Sequence, residues 1–114
     1  MAKNANFFYT RNIGGGPMAV TITPAQDVPW ELSSVRLHLG TTGGTSEDFT
    51  VTVDSATHTA YDVRLYTKDM EEVQDVLWQP GTPLSLPNTD SIVFAYTNTG
   101  ARIWGLEVVY RQTV

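Results

Sequence analysis

The sequence predicts an all-β protein: a single antiparallel β-sandwich, jelly-roll-like, of about eight strands, with an extended N-terminal arm. Three observations carry that prediction. Short runs of alternating apolar and polar residues recur every 8–12 residues or about that, separated by Gly-, Pro- and Asn-containing turns. No segment holds the i, i+3, i+4 apolar spacing that a convincing helix needs. The 114 residues suit one domain, and no linker divides them, so residues 17–114 are read as one sandwich behind an arm of residues 1–16.

The arm, MAKNANFFYTRNIGGG, carries Lys3 and Arg11 and no acid. It is formally +2, whereas the remainder is −7. Phe7-Phe8-Tyr9 is an aromatic cluster and Gly14-Gly15-Gly16 reads as a flexible joint. Two readings are open: a terminal strand packed on its own domain, or an arm that leaves the domain and docks on a neighbour. The second is the working expectation, with Phe7, Phe8, Tyr9 and Arg11 as its contact residues, because aromatics and Arg are the residues interfaces favour.

Met18–Thr23 alternates as the first body strand and Pro24 closes it. In Trp30–Leu39, Val35, Leu37 and Leu39 point one way and Ser34, Arg36 and His38 the other. After the loop 40–46, Asp48–Asp54 sets Phe49, Val51 and Val53 inward and Thr50 and Thr52 outward, as suits a solvated pleat. Residues 55–60 form a connection with a helical turn. Tyr61–Thr67 follows, with Tyr61, Val63 and Leu65 on one face. Val73–Gln79 is a short strand ended by Pro80-Gly81. Leu84 and Leu86, between Pro83 and Pro87, suit an edge. The closing stretch, DSIVFAYTNTGARIWGLEVVYR, has the strongest β signal in the chain and is taken as the centre of the sheet. It reads as a hairpin over Asp90–Arg111, with Gly100 supplying a positive φ in the turn 97–101.

Composition excludes several functions. A net charge of −5 argues against a nucleic-acid partner, which calls for a basic face. The absence of cysteine removes disulfides, thiolate metal sites and a cysteine nucleophile. The N-terminus lacks the apolar core of a secretory signal, and no apolar run approaches a membrane span. The chain is therefore expected to be made in the cytoplasm, soluble and without a membrane partner.

No catalytic pattern stands out. His38 lies on an outward strand face and His58 in a loop; Asp54 and Ser55 near His58 tempt one toward a triad, but triads are recognised by geometry and not by sequence proximity. The acids Glu47, Asp48, Asp69, Glu71, Glu72 and Asp75 form no calcium-loop pattern. Gly14-Gly15-Gly16 precedes Pro17 and is no phosphate cradle. The expectation is a non-enzyme with no metal and no cofactor. Among the aromatics, Trp104 sits mid-strand and reads as core. Trp30 and Trp78 lie at strand ends beside prolines and, with Tyr66, are the residues that would stack a sugar if the protein were a carbohydrate-binding module.

At the level of the whole chain, the succession WELSSVRLHL, EDFTVTVDS, YDVRLYTKDM, VQDVLWQP and DSIVFAYTNTGARIWGLEVVYR resembles the small accessory virion proteins of tailed bacteriophages. The resemblance spans residues 28–111 and includes no catalytic motif. It implies a capsid decoration or cement protein that binds the major capsid protein, or another virion protein, as a symmetric homo-oligomer with a trimer favoured. A tail or neck location is the alternative within the virion, and the carbohydrate-binding module the alternative outside it.

Overall fold

The computed structural model describes residues 5–82 and 84–113; residues 1–4 of the expected arm, with Lys3, and Pro83 lie outside the described residues. Among the described residues nine strands form: β1 (Ala5–Gly14), β2 (Met18–Ile22), β3 (Trp30–Leu39), β4 (Asp48–Asp54), β5 (Val63–Asp69), β6 (Asp75–Trp78), β7 (Leu84–Leu86), β8 (Ser91–Tyr96) and β9 (Trp104–Thr113). One 3-10 turn, Thr59–Tyr61, lies where a helical turn was expected. The strands make two antiparallel sheets packed as a β-sandwich. One runs β1-β9-β3-β6, with β7 also on β3; the other runs β2-β8-β4-β5.

The pairing is nested. β4 pairs β5, β3 pairs β6, β2 pairs β8 and β1 pairs β9. The chain is thus one long hairpin folded over on itself, which brings β9 beside β3 and β8 beside β4. A rolled hairpin of this kind buries one face of most strands and so explains the alternation in the sequence. Burial follows it: Trp104, Leu106, Val108 and Tyr110 of β9 meet Ile92, Phe94 and Tyr96 of β8 and Phe49, Val51 and Val53 of β4 in one core.

The predicted hairpin 90–111 does not form. β8 and β9 are each central, but in different sheets. Residues 97–103 are an arch that crosses the sandwich. Its left-handed residues are Asn98 (φ 53°) and Ala101 (φ 51°), and not Gly100. Asn98 is buried; its Nδ2 donates to the carbonyls of Gly16 and Arg102, each at 2.9 Å, and its Oδ1 accepts from the Arg102 N–H at 2.8 Å. An Asn tolerates the left-handed region and carries both donor and acceptor. One side chain thereby locks the arch.

Two β-bulges account for the other departures. β3 slips between Leu32 and Ser34, so that Trp30 and Leu32 face inward along with Val35, Leu37 and Leu39. Opposite Val51 and Thr52, β5 slips as well. Tyr66 then takes the place across from Val51 that alternation gave to Leu65. Val63 keeps its expected face, opposite Val53, but stands exposed at the sheet edge, and Tyr61 falls in the 3-10 turn, also exposed. A bulge exchanges the faces on either side of itself, which simple alternation cannot anticipate.

Candidate functional site

Residues 5–14, the described part of the expected arm, lie along β9 in unbroken register, from Ala5 opposite Thr113 to Gly14 opposite Trp104. Gly14, at the end of the strand, allows a close approach: a Cβ there would stand 2.6 Å from the Trp104 ring. The Gly16 carbonyl accepts from both Trp104 Nε1 and Asn98 Nδ2, each at 2.9 Å. The segment therefore forms the edge strand of the five-stranded sheet.

Alternation along β1 separates the predicted contact residues. Phe8 turns inward and stacks on Tyr110, ring centroids 5.2 Å apart. Phe7, Tyr9 and Arg11 turn outward. The registers then lay out the outer face in rows: Tyr9, Val109 and Ser34; Arg11, Glu107, Arg36 and Leu77; Ile13, Gly105, His38 and Asp75. Phe7 (55% exposed), Tyr9 (63%) and Leu77 (68%) are unusually open for large apolar side chains.

Charge is arranged around that apolar surface. The Glu107 side chain, only 12% exposed, takes Arg11 Nε at 2.6 Å from one neighbouring strand and an ion pair with Arg36 from the other. His38 and Asp75 form a further exposed pair across β3 and β6. Gly105 has no side chain to fill its row, and a Cβ placed there would meet nothing within 4 Å. The result is an open groove of about 460 Å³ floored by Gly105 and walled by Arg36, His38 and Leu77. A second shallow depression of about 410 Å³ lies between Phe7, Tyr9, Val109 and Leu77. The face is continuous, apolar in its large residues and ionic along its middle row.

The sugar-stacking candidates do not come together as a platform. Trp30 is 1% exposed, meets Tyr110 edge-on at 5.1 Å and donates its Nε1–H to the Pro87 carbonyl, so neither ring face is open. Its place beside Pro29 looked like a strand end; it is the point where β3 enters the core. Trp78 and Tyr66 stack on each other at 5.1 Å across the edge between the sheets, which occupies one face of each ring.

The residues that hinted at catalysis have local partners. His58 Nδ1 accepts from the Ala60 N–H and caps the 3-10 turn, while Ser55 Oγ accepts from Thr57 N–H and Asp62 from Ser55 N–H. Glu47 accepts from Thr99, and Asp69 from Ser46 Oγ and Glu71 N–H. Those hydrogen bonds, the Ser46 hydroxyl first, hold the Asp69 carboxyl below its usual 3.8. No three His, Asp or Glu side chains among the described residues gather as metal ligands. No protein-family model matches the chain, and no curated protein matches it.

Sequence reasoning missed Leu77, Gly105, Glu107 and Val109 as members of this face. The signal was present in part: Gly105, Glu107 and Val109 alternate in the sequence with Leu106, Val108 and Tyr110 and so share the opposite face of that strand. Their neighbours come from β1, β3 and β6, which only the sheet order supplies.

Proposed function

We propose that the protein is a non-enzymatic structural component of a phage particle, a decoration or cement protein that binds the major capsid protein, or another virion protein, through the outer face of the five-stranded sheet. The observation that carries this is the patch of exposed Phe7, Tyr9 and Leu77, with half-buried Val109 among them, around the Arg11–Glu107–Arg36 row. Exposed apolar side chains gathered on one face, with charges beside them, are what a docking surface uses for affinity and for register. Phe7, Tyr9 and Arg11 remain the first contact residues, joined by Leu77; Phe8 supports them from beneath. The nested hairpin is the connectivity from which a jelly roll is wound, an architecture familiar in virion proteins. An acidic chain stays soluble before assembly, and many copies on a lattice add avidity.

The test is the copy number of the chain in purified particles, together with rebinding of Leu77→Asp to stripped particles. A copy number close to that of the major capsid protein supports decoration. A few copies per particle place it at the tail or neck. Absence from particles, or full rebinding of Leu77→Asp, overturns the reading.

A further inference from the structure

The sandwich has four sheet edges, and three of them are protected. β2 is five residues long, with Pro17 immediately before it and Pro24 shortly after. β5 is bulged and carries Arg64, Lys68 and Asp69. On the far side of the five-stranded sheet, β6 has four residues and β7 three, with Pro80 and Pro87 following them. Short length, prolines, charges and bulges are the devices by which β-proteins keep edges from pairing.

β1 has none of them. It is ten residues long, contains no proline, runs without a bulge and carries one charge, Arg11, already tied to Glu107. Among the described residues its second edge has no strand on it. A row of unpaired N–H and C=O groups of that length is a template for another strand.

We infer that this edge pairs antiparallel with the same edge of a second copy of the chain, joining two five-stranded sheets across a twofold axis. Antiparallel self-pairing is isologous, so it closes at two subunits and does not build the trimer that the family resemblance suggested. Two registers overlap nine of the ten residues while keeping outward residues beside outward ones. One sets Ala5 opposite Ile13, and with it Arg11 opposite Phe7 and Tyr9 opposite Tyr9. The other sets Asn6 opposite Gly14, and Arg11 opposite Tyr9. In both, the two Arg11 side chains stay apart and each guanidinium comes beside an aromatic ring of the other copy, a favourable cation–π arrangement. The strand is thus complementary to itself, and the two aromatic outer faces become one surface. This inference rests on the β1 edge alone and stands or falls separately from the capsid reading.

Sedimentation equilibrium of the full chain over a concentration series tests it. The expected species has twice the 12.6 kDa of one chain, with a dissociation constant of roughly micromolar order, as small interfaces give. Tyr9→Lys adds a charge at the edge without touching the core and should raise that constant about tenfold or more. Hydrogen exchange of the unaltered protein supplies an independent reading: those amides of residues 6–12 that point away from β9 should gain protection as concentration rises. A monomer at all concentrations, a trimer, or a dimer whose β1 amides and Tyr9→Lys response are unchanged overturns the proposal.

Discussion

The two sheets contribute alike to the interior and differ on the outside. Inside, β8 offers Ile92, Phe94 and Tyr96 and β9 offers Trp104, Leu106, Val108 and Tyr110, all buried. Outside, the four-stranded sheet shows Ala19, Thr21, Thr50, Thr52, Thr67, Val93 and Ala95, small side chains that suit a solvated pleat, with Arg64, Asp48 and Asp69 toward its β5 edge. The five-stranded sheet shows Phe7, Tyr9 and Leu77 with an Arg–Glu–Arg row between them. Folding requires only the inner faces. The outer faces therefore carry separate information, and exposed Phe7, Tyr9 and Leu77 gather on one of them.

If the inner faces are equivalent, their disruption should be costly in both sheets. Phe94→Ala in β8 is expected to destabilise by about 3–5 kcal/mol and Leu106→Ala in β9 by about 2–5 kcal/mol. Urea denaturation of the two variants checks this. A cost below about 1 kcal/mol in either sheet would mean that sheet is not part of the common core. The next effect falls at the arch joining the sheets. Asn98→Ala removes three hydrogen bonds, orphans the Arg102 N–H and C=O, and leaves a Cβ without compensation in the left-handed region. The expected loss is about 2–3 kcal/mol.

The sheets were more legible in the sequence than their association. Alternation located most strands and the inward residues of β4, because most strands bury one face whatever their neighbours. It could not distinguish a hairpin from an arch between β8 and β9. Both call for a polar turn with a left-handed residue, and the choice is made when the apolar faces of β8 and β9 enter one core from different sheets. Nor could it see the bulges, which depend on partner strands. The arm was misjudged for a related reason: three glycines suggest freedom in isolation, whereas here Gly14 makes room for the Trp104 ring and the Gly16 carbonyl serves two donors. The candidate face was half visible, since Phe7, Tyr9 and Arg11 stood out while Leu77 and Glu107 needed the sheet order.

Smaller effects sharpen the picture of the joint. Ala101 sits at φ 51°, where a Cβ is crowded and glycine is not. Ala101→Gly should stabilise by about 0.5–1 kcal/mol, the relief of left-handed backbone strain in the arch exceeding the added freedom of the unfolded chain. A lowered urea midpoint would show the opposite. Tyr96, buried at the end of β8 beside Gly43, has its phenol pKa raised above 10.0, first by burial and next by the Glu47 carboxylate. A raised folded pKa gives a contribution that is complete below the unfolded value and disappears as pH rises through the folded one. Stability should therefore fall above about pH 10, and less so in Tyr96→Phe, as followed by urea midpoints across that range.

The smallest expected change in stability decides the most about the comparison. Leu77→Asp and Thr52→Asp place the same carboxylate at mid-strand on opposite outer faces. Neither touches the core, so each should alter stability by no more than about 1 kcal/mol, the span of strand preference at exposed sites. If both outer faces were ordinary solvated surface, the two variants would also bind particles alike. Instead Leu77→Asp should weaken binding about tenfold or more, since it puts a charge into an apolar patch that must shed water to dock, while Thr52→Asp should bind unchanged. Equal binding of the two would mean that the apolar residues of the five-stranded face serve no partner. The reverse result, with only Thr52→Asp impaired, would move the docking surface to the other sheet and leave the exposed Phe7, Tyr9 and Leu77 without a role in it.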